Sequence, residues 1–272
     1  MRRFPRDFVA VRGPDAESYL QAMVSNDVEA LDPGEACEAL LLTAKARVVA
    51  PLTVFRRGAD DFLLLTVAGL GETVRASLAR ARFAARCDIL VEVHVSTLIV
   101  GAEGERGTVP NRDFGAPAYE VLDGVPPEDA RPADPEELDR LRIAAGTPAW
   151  GREIDHRILP AEAGLDVRAI DFEKGCYPGQ EPIARQHYRG RVNRSLRVLE
   201  IEGVELPRYD AEILWSEKTV GRVTSAARED GHVLALGYVR TEVPDDAMLE
   251  VDGRRVRQDR GVGEMSQPNA AR

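Results

Sequence analysis

The amino-acid sequence predicts an α+β protein in which two mixed stretches precede an all-β unit. Apolar residues recur at helical spacing in separated segments, strand-like alternation lies between those segments, and from Ser195 onward short alternating runs follow one another with regular turns. A length of 272 residues suits about two compact units at roughly 100 to 200 residues per domain. Apolar residues make up 44% and charged residues 30%, enough for a buried core and too apolar for a disordered chain.

Pro14 at a first helical position, with Asp15 and Glu17 in the first turn, predicts a helix that carries Leu20, Met23 and Val24 on one face and ends near Asn26. After the Asp32-Pro33-Gly34 turn, runs over Glu38 to Thr43, Val48 to Phe55 and Phe62 to Val67 predict an antiparallel meander. Val74, Leu78, Ala81 and Ala85 then mark an amphipathic helix from about Gly71 to Arg86. Alternation returns in Ile89, Val91, Val93 and Val95, and Thr97 to Val100 adds a short strand. Residues 101–135 are rich in Gly and Pro and read as a connection with a weak strand around Tyr119 to Leu122. Asp134 as N-cap, Pro135 at N1 and Glu136 and Glu137 in the first turn announce a helix through Leu138, Leu141 and Ile143, stopped by Gly146. Runs over Leu196 to Ile201, Glu212 to Trp215, Val220 to Ser225, His232 to Val239 and Met248 to Val251 predict a small β-barrel or sandwich. The polar end, 259–272, reads as a fraying tail.

Thirty-six Lys and Arg against 46 Asp and Glu leave a formal charge of -10, so the overall field repels nucleic acid and anionic membrane. An anionic ligand must then be held by a local cluster. The longest apolar stretch, Phe62 to Gly71, falls far short of the roughly 20 residues that cross a bilayer. Residues 1–13 carry arginines without the apolar run of a secretion signal. Cys37, Cys87 and Cys176, odd in number and widely spaced, fit a reducing cytoplasm rather than a disulfide framework. None of His94, His156, His187 and His232 pairs with a cysteine at zinc spacing, so no stable metal is expected. Gly69-Leu70-Gly71 lacks the third glycine of a dinucleotide fingerprint, and no nucleophile elbow or phosphate-cradling loop occurs.

The densest chemistry lies from Lys174 to Arg185, where Gly175, Pro178, Gly179 and Pro182 argue against a regular helix or central strand and predict a shaped loop. Cys176, two residues from Lys174, is a candidate thiolate if the loop exposes it; the other reading is a small buried apolar residue. Arg185, Arg189, Arg191, Arg194 and Arg197, with His187 and Tyr188 among them, form either a local anion-binding patch or a charged strand edge.

The run Lys174-Gly175-Cys176-Tyr177-Pro178-Gly179-Gln180-Glu181 resembles the signature of the YgfZ proteins, folate-binding relatives of the glycine-cleavage T-protein aminomethyltransferase (GcvT). Further blocks agree in order: Ser25-Asn26-Asp27-Val28, Leu41-Leu42-Thr43 before Arg47, Arg142-Ile143-Ala144-Ala145-Gly146, Gly221 to Ser225 and Ala235 to Val239. The resemblance implies a three-domain clover-leaf of the GcvT folate-binding type. Its folate domain would comprise 1–46 and 132–194, its inserted domain 47–131 and its C-terminal β-barrel 195–258. It also implies tetrahydrofolate, or a one-carbon derivative, as cofactor; on physical grounds Trp150 would stack on its ring and an arginine such as Arg191 would pair with its carboxylate, with Asn26, Arg47 and Arg185 as further expected contacts. The implied role is assembly or repair of iron-sulfur clusters in enzymes that include tRNA-modifying ones. In that role Cys176 would be the redox or cluster-contacting group and Lys174 would favour its thiolate. Tyr177 would pack on folate or a partner, while Gln180 and Glu181 would fix the loop through backbone hydrogen bonds. The implied partners are folate and iron-sulfur enzymes or assembly factors, without membrane or direct nucleic-acid binding. The sequence departs from the T-protein pattern where carboxylates are expected, holding Ala50-Pro51 and Ala144 instead. A standard aminomethyltransferase is therefore disfavoured; the alternative, a tetrahydrofolate-dependent one-carbon transferase, would need another carboxylate such as Asp27 or Asp171.

Overall fold

In the computed structural model, which describes residues 1–190 and 192–261, the strand Arg6–Arg12 lies inside a five-stranded antiparallel sheet. Across this sheet the order is Ala36–Leu42, Val48–Gly58, Asp61–Val67, Arg6–Arg12 and Asp88–Glu92. The sequence reading assigns no strand to residues 1–13. Phe8-Val9-Ala10-Val11 escapes the alternation test because the strand is buried on both faces. Val9 and Val11 pack with Leu20 of the helix Ala16–Met23 and with Val74 and Leu78 of the helix Gly71–Ala81, while Phe8 and Ala10 pack with Phe55, Leu63, Leu65 and Val109.

Both helices are shorter than their periodicity predicts. The first begins at Ala16, so Pro14 is not its first helical residue, and the Asp15 carboxylate bonds the Arg86 amide and guanidinium instead of capping its own helix. The second ends at Ala81 rather than Arg86, and Phe83 just beyond it takes a left-handed φ of 44°. A second antiparallel sheet runs in the order Arg2–Arg3, Ser96–Val100, Ala118–Leu122, Val109–Pro110. Its buried Glu120 accepts from Arg6 at 2.7 Å, Ser96 at 2.6 Å and Asn111 at 2.9 Å. Both sheets belong to one unit, formed by Met1–Arg112, Ala116–Pro132 and Arg168–Tyr188. The boundary expected between residues 46 and 47 falls in the hairpin that joins two adjacent strands of the five-stranded sheet.

The second unit contains Asp113–Gly115, Ala133–Val167 and the chain from Arg189 onward. Its helix Pro135–Ala144 begins as the sequence requires, with the Asp134 side chain accepting from Glu136 N–H. Six strands, Arg194–Glu202, His232–Arg240, Lys218–Glu229, Glu212–Trp215, Leu249–Val251 and Arg254–Gly261, close a barrel. Leu199, Ile201, Ile213, Val223, Val233 and Val256 fill its interior. Residues 259–261, expected in the tail, belong to the closing strand; 262–272 lie outside the described residues.

Glu120→Ala is expected to lower stability by about 3 kcal/mol, because it removes the carboxylate from a buried charged pair and leaves two polar neighbours short of an acceptor. Urea denaturation of the variant checks this.

Candidate cysteine-loop site

Ser25 ties the base of the loop to the sheet. Its hydroxyl donates to Ala169 O at 2.6 Å and accepts from Leu40 N–H at 2.8 Å, while its carbonyl accepts from Asp171 N–H at 3.0 Å. One turn later the Asp171 carboxylate accepts from the amides of Glu173 (2.7 Å) and Lys174 (3.0 Å), closing an Asx-type turn that starts the motif. Lys174 points inward, 9% exposed, and its ammonium donates to Asn26 O at 2.6 Å, Val24 O at 2.8 Å and Gln21 Oε1 at 3.3 Å. Val24 is the C-cap of the helix Ala16–Met23, which has no basic residue in its last turn, so Lys174 supplies a cation to that carbonyl end.

These bonds correct the role expected for Lys174, since the ammonium is committed to backbone and amide oxygens. Burial lowers its pKa from 10.5 to about 8, partly opposed by Asp27, Cys37, Asp171 and Glu29. Tyr177 is also turned inward. Its ring lies 5.6 Å below the Lys174 ammonium, and burial raises its hydroxyl to about 12, so it packs within the chain rather than on a ligand. Gly179 has φ +88°, and a Cβ there would stand 2.6 Å from Thr43 O and 3.1 Å from Ala46 Cα. That close approach brings the Arg47 hairpin against the loop.

Cys176 is exposed. Beside it, a Cβ added to Gly175 would meet no atom within 4 Å, so the fold itself has room for a side chain there. The expected irregular segment ends sooner than its prolines and glycines imply, because a helix spans Gln180–Arg189 and Pro182 sits in its first turn, where no amide donor is needed. Gln180 N–H donates to Tyr177 O at 3.2 Å, while the Glu181 side chain accepts from Arg185 at 2.8 Å across one turn and so serves the helix. On the same helix His187 stacks on Phe172 at 3.9 Å, with Tyr188 edge-on to His187 at 4.9 Å.

The remaining expected contacts are spread out. Asn26 uses its amide on Glu38 O at 2.6 Å, Arg168 O at 3.4 Å and its neighbour Asp27 N–H at 2.9 Å. It also borders a pocket of about 90 Å³ with Cys37, Glu38, Thr53, Arg112 and Arg168. Burial pushes the Cys37 thiol up to about 12, so it stays protonated. Trp150 belongs to the second unit, edge-on to His156 at 5.2 Å. Arg191 lies outside the described residues. The five arginines do not form one strand edge: Arg185 is helical, Arg194 and Arg197 start a barrel strand, and Arg197 is buried against Val243 O and Asp245. Sequence reasoning named Ser25 only within a matching block and missed its tethering role, as it missed the pairing of Arg168 with Glu38 at 2.7 Å. Asp171, read from the sequence only as a possible substitute carboxylate, makes the turn before Lys174.

Residues 7–101 match the family model of the GCVT N-terminal domain. A tRNA-modifying protein YgfZ of Klebsiella pneumoniae is 28% identical over 92% of this chain and 86% of its own. An aminomethyltransferase of Lysinibacillus sphaericus is 25% identical over 92% and 81%. This chain is similar to GcvT and YgfZ proteins over most of its length. The crystal structure of glycine cleavage system aminomethyltransferase T from Bartonella henselae superposes with a TM-score of 0.79 at 20% identity, covering 92% of this chain and 82% of that one. The fold is therefore GcvT-like, with few helices and a six-stranded barrel.

Within this GcvT-like fold, Ala50 is buried in the five-stranded sheet and Ala144 ends the helix Pro135–Ala144. The carboxylates considered as substitutes have structural work. Asp27 accepts from Gln21 and from the amides of Glu29 and Ala30, and Asp171 forms the turn before Lys174.

Lys174→Met provides a test of the buried ammonium. Between about pH 8 and pH 10.5 the unfolded lysine holds a proton that the folded one has lost, so the folded wild type gains stability as pH rises through this window. Below about pH 8 both states are protonated and the contribution of this group is flat. Cys37 and Tyr177 titrate in both proteins. The stability difference between wild type and K174M, from urea melts across pH 7 to about 10.5, is expected to move in favour of wild type.

Proposed function

We propose that this chain is a tetrahydrofolate-binding accessory protein for iron-sulfur cluster assembly or repair, supporting cluster-dependent enzymes that include tRNA-modifying ones. The observation that carries the reading is an exposed Cys176 on a loop whose inward residues, Lys174, Tyr177 and Gly179, are all tied to the fold. Such a loop holds a thiol outward without using it in packing. Gly175 strengthens the case: the chain itself leaves space above it, so the missing side chain suits close approach by a ligand or partner. The YgfZ and aminomethyltransferase relatives support a folate and a link to tRNA modification.

The donor set suits binding of folate better than chemistry on it. The guanidiniums of Arg47 and Arg185, both in the first unit, fit its carboxylates. Ala50, Pro51 and Ala144 offer no carboxylate to move a proton, and Asp27 and Asp171 are engaged by backbone amides. A bound tetrahydrofolate supplies a reduced ring able to carry a one-carbon unit; the part of this chain is to bind and orient it. One exposed thiol cannot complete the usual four-thiolate cluster set, so Cys176 would engage a cluster or a partner thiol only in passing. Among the described residues no helix is long and apolar enough to cross a membrane, and the proposed place of action is the cytoplasm.

Cys176→Ala is expected to fail to restore a cluster-dependent tRNA-modifying activity in a strain lacking this protein, with an unchanged melting temperature. Full restoration would sink the thiol role. Gly175→Ala and Gly179→Ala should separate function from folding: the first melts like wild type yet restores poorly, whereas the second loses about 2 kcal/mol or more of stability. Purified protein should bind tetrahydrofolate in a calorimetric titration and transfer no one-carbon unit from an aminomethyl donor; measurable transfer would favour the transferase reading.

A further inference from the structure

The second unit holds a cleft of about 490 Å³ between the 151–158 segment and the barrel strands Lys218–Glu229 and His232–Arg240. Arg152, Arg157, Arg194, Arg222 and Arg240 line it, with Tyr209 and Tyr238. Four of these guanidiniums are steadied by carboxylates that stand outside the lining: Asp139 on Arg152 at 2.9 Å, Glu162 on Arg194 at 3.3 Å, Glu212 on Arg222 at 3.0 Å and Glu242 on Arg240 at 3.4 Å. Of the acids within the lining, Glu153 is sealed off with a side chain 0% exposed, bonded to Arg142, Ser225 and Ala149 N–H. Asp155 is clasped by Arg157 at 2.6 Å, and Asp210 stands 4.0 Å from Arg222.

The floor is rigid for the same reason that Glu153 is sealed. Arg142 bonds Thr147 O and Ser225, and the Tyr238 hydroxyl donates to Glu153 O at 2.8 Å. The Arg194 guanidinium lies 4.7 Å over the Tyr238 ring, while Tyr209 is 66% exposed.

We propose that this cleft is a binding site for a phosphorylated ligand of mononucleotide size. Guanidinium forks match phosphate oxygens in pairs. The volume falls in the range of about 300 to 1,000 Å³ typical of small-molecule sites, too large for phosphate alone. The exposed Tyr209 ring offers a flat apolar face to a base.

Calorimetric titration of the full chain with ADP, pyrophosphate and adenosine tests the site. ADP is expected to bind, with pyrophosphate weaker by about tenfold and adenosine weaker still. Arg152→Gln with Arg222→Gln, at half-exposed positions, should weaken ADP by about tenfold or more at an unchanged melting temperature. Tyr209→Ala, on the rim, should weaken ADP and leave pyrophosphate unchanged. Cys176→Ala should bind ADP like wild type, which keeps this result separate from the fate of the folate reading. No heat at about 1 mM ADP, wild-type affinity in the arginine double variant, equal affinity for ADP and pyrophosphate, or displacement of ADP by tetrahydrofolate would each overturn the proposal.

Discussion

The ammonium of Lys174 is the interaction on which the cysteine loop depends. It reaches across the chain to the carbonyls of Val24 and Asn26, at the end of a helix that has no cation of its own, and it roofs the Tyr177 ring. A lysine with its charge in water would leave those carbonyls and the loop unconnected. Burying the charge is costly, and its lowered pKa registers that cost, but the oxygens around it make the site tolerable. Ser25 and Asp171 complete the join with hydrogen bonds to Ala169, Leu40, Glu173 and Lys174.

A division of labour within the motif follows from that join. Lys174, Tyr177 and Gly179 face the fold, whereas Gly175, Cys176 and Glu181 face outward. The thiol is thus presented on a rigid base, and the glycine beside it keeps the approach clear. The same fold has no carboxylate at Ala50, Pro51 or Ala144, and the proposal of capture and presentation rather than one-carbon transfer rests on that composition.

The barrel unit is governed by a different buried charge. Glu153, held by Arg142, Ser225 and Ala149, fixes the 149–153 turn against the barrel strand and closes the floor of the arginine-lined cleft. Each unit therefore holds a buried charged side chain bonded across the chain, Lys174 to Val24 and Asn26 and Glu153 to Ser225. The cysteine loop is visible as the short motif Lys174 to Glu181, but the buried partners that hold it are not, and the arginine-lined cleft has no motif at all.

By itself the sequence determined most of the local architecture. Alternation and turn residues marked the meander and the barrel strands, and Asp134-Pro135 marked a helix start, because those signals act within a few residues. Cys176 was singled out by its neighbours. The strand Arg6–Arg12 was illegible because burial on both faces erases alternation, and the closing strand Arg254–Gly261 because its residues are nearly all polar, so that its last three were read as tail. Only the tertiary structure decided that Lys174 serves carbonyls rather than the thiol, that Tyr177 is inside, and that five arginines scattered from Arg152 to Arg240 share a cleft. Spacing along a chain constrains which side chains share a face, but where a charged head finds its partner depends on contacts between residues far apart in sequence.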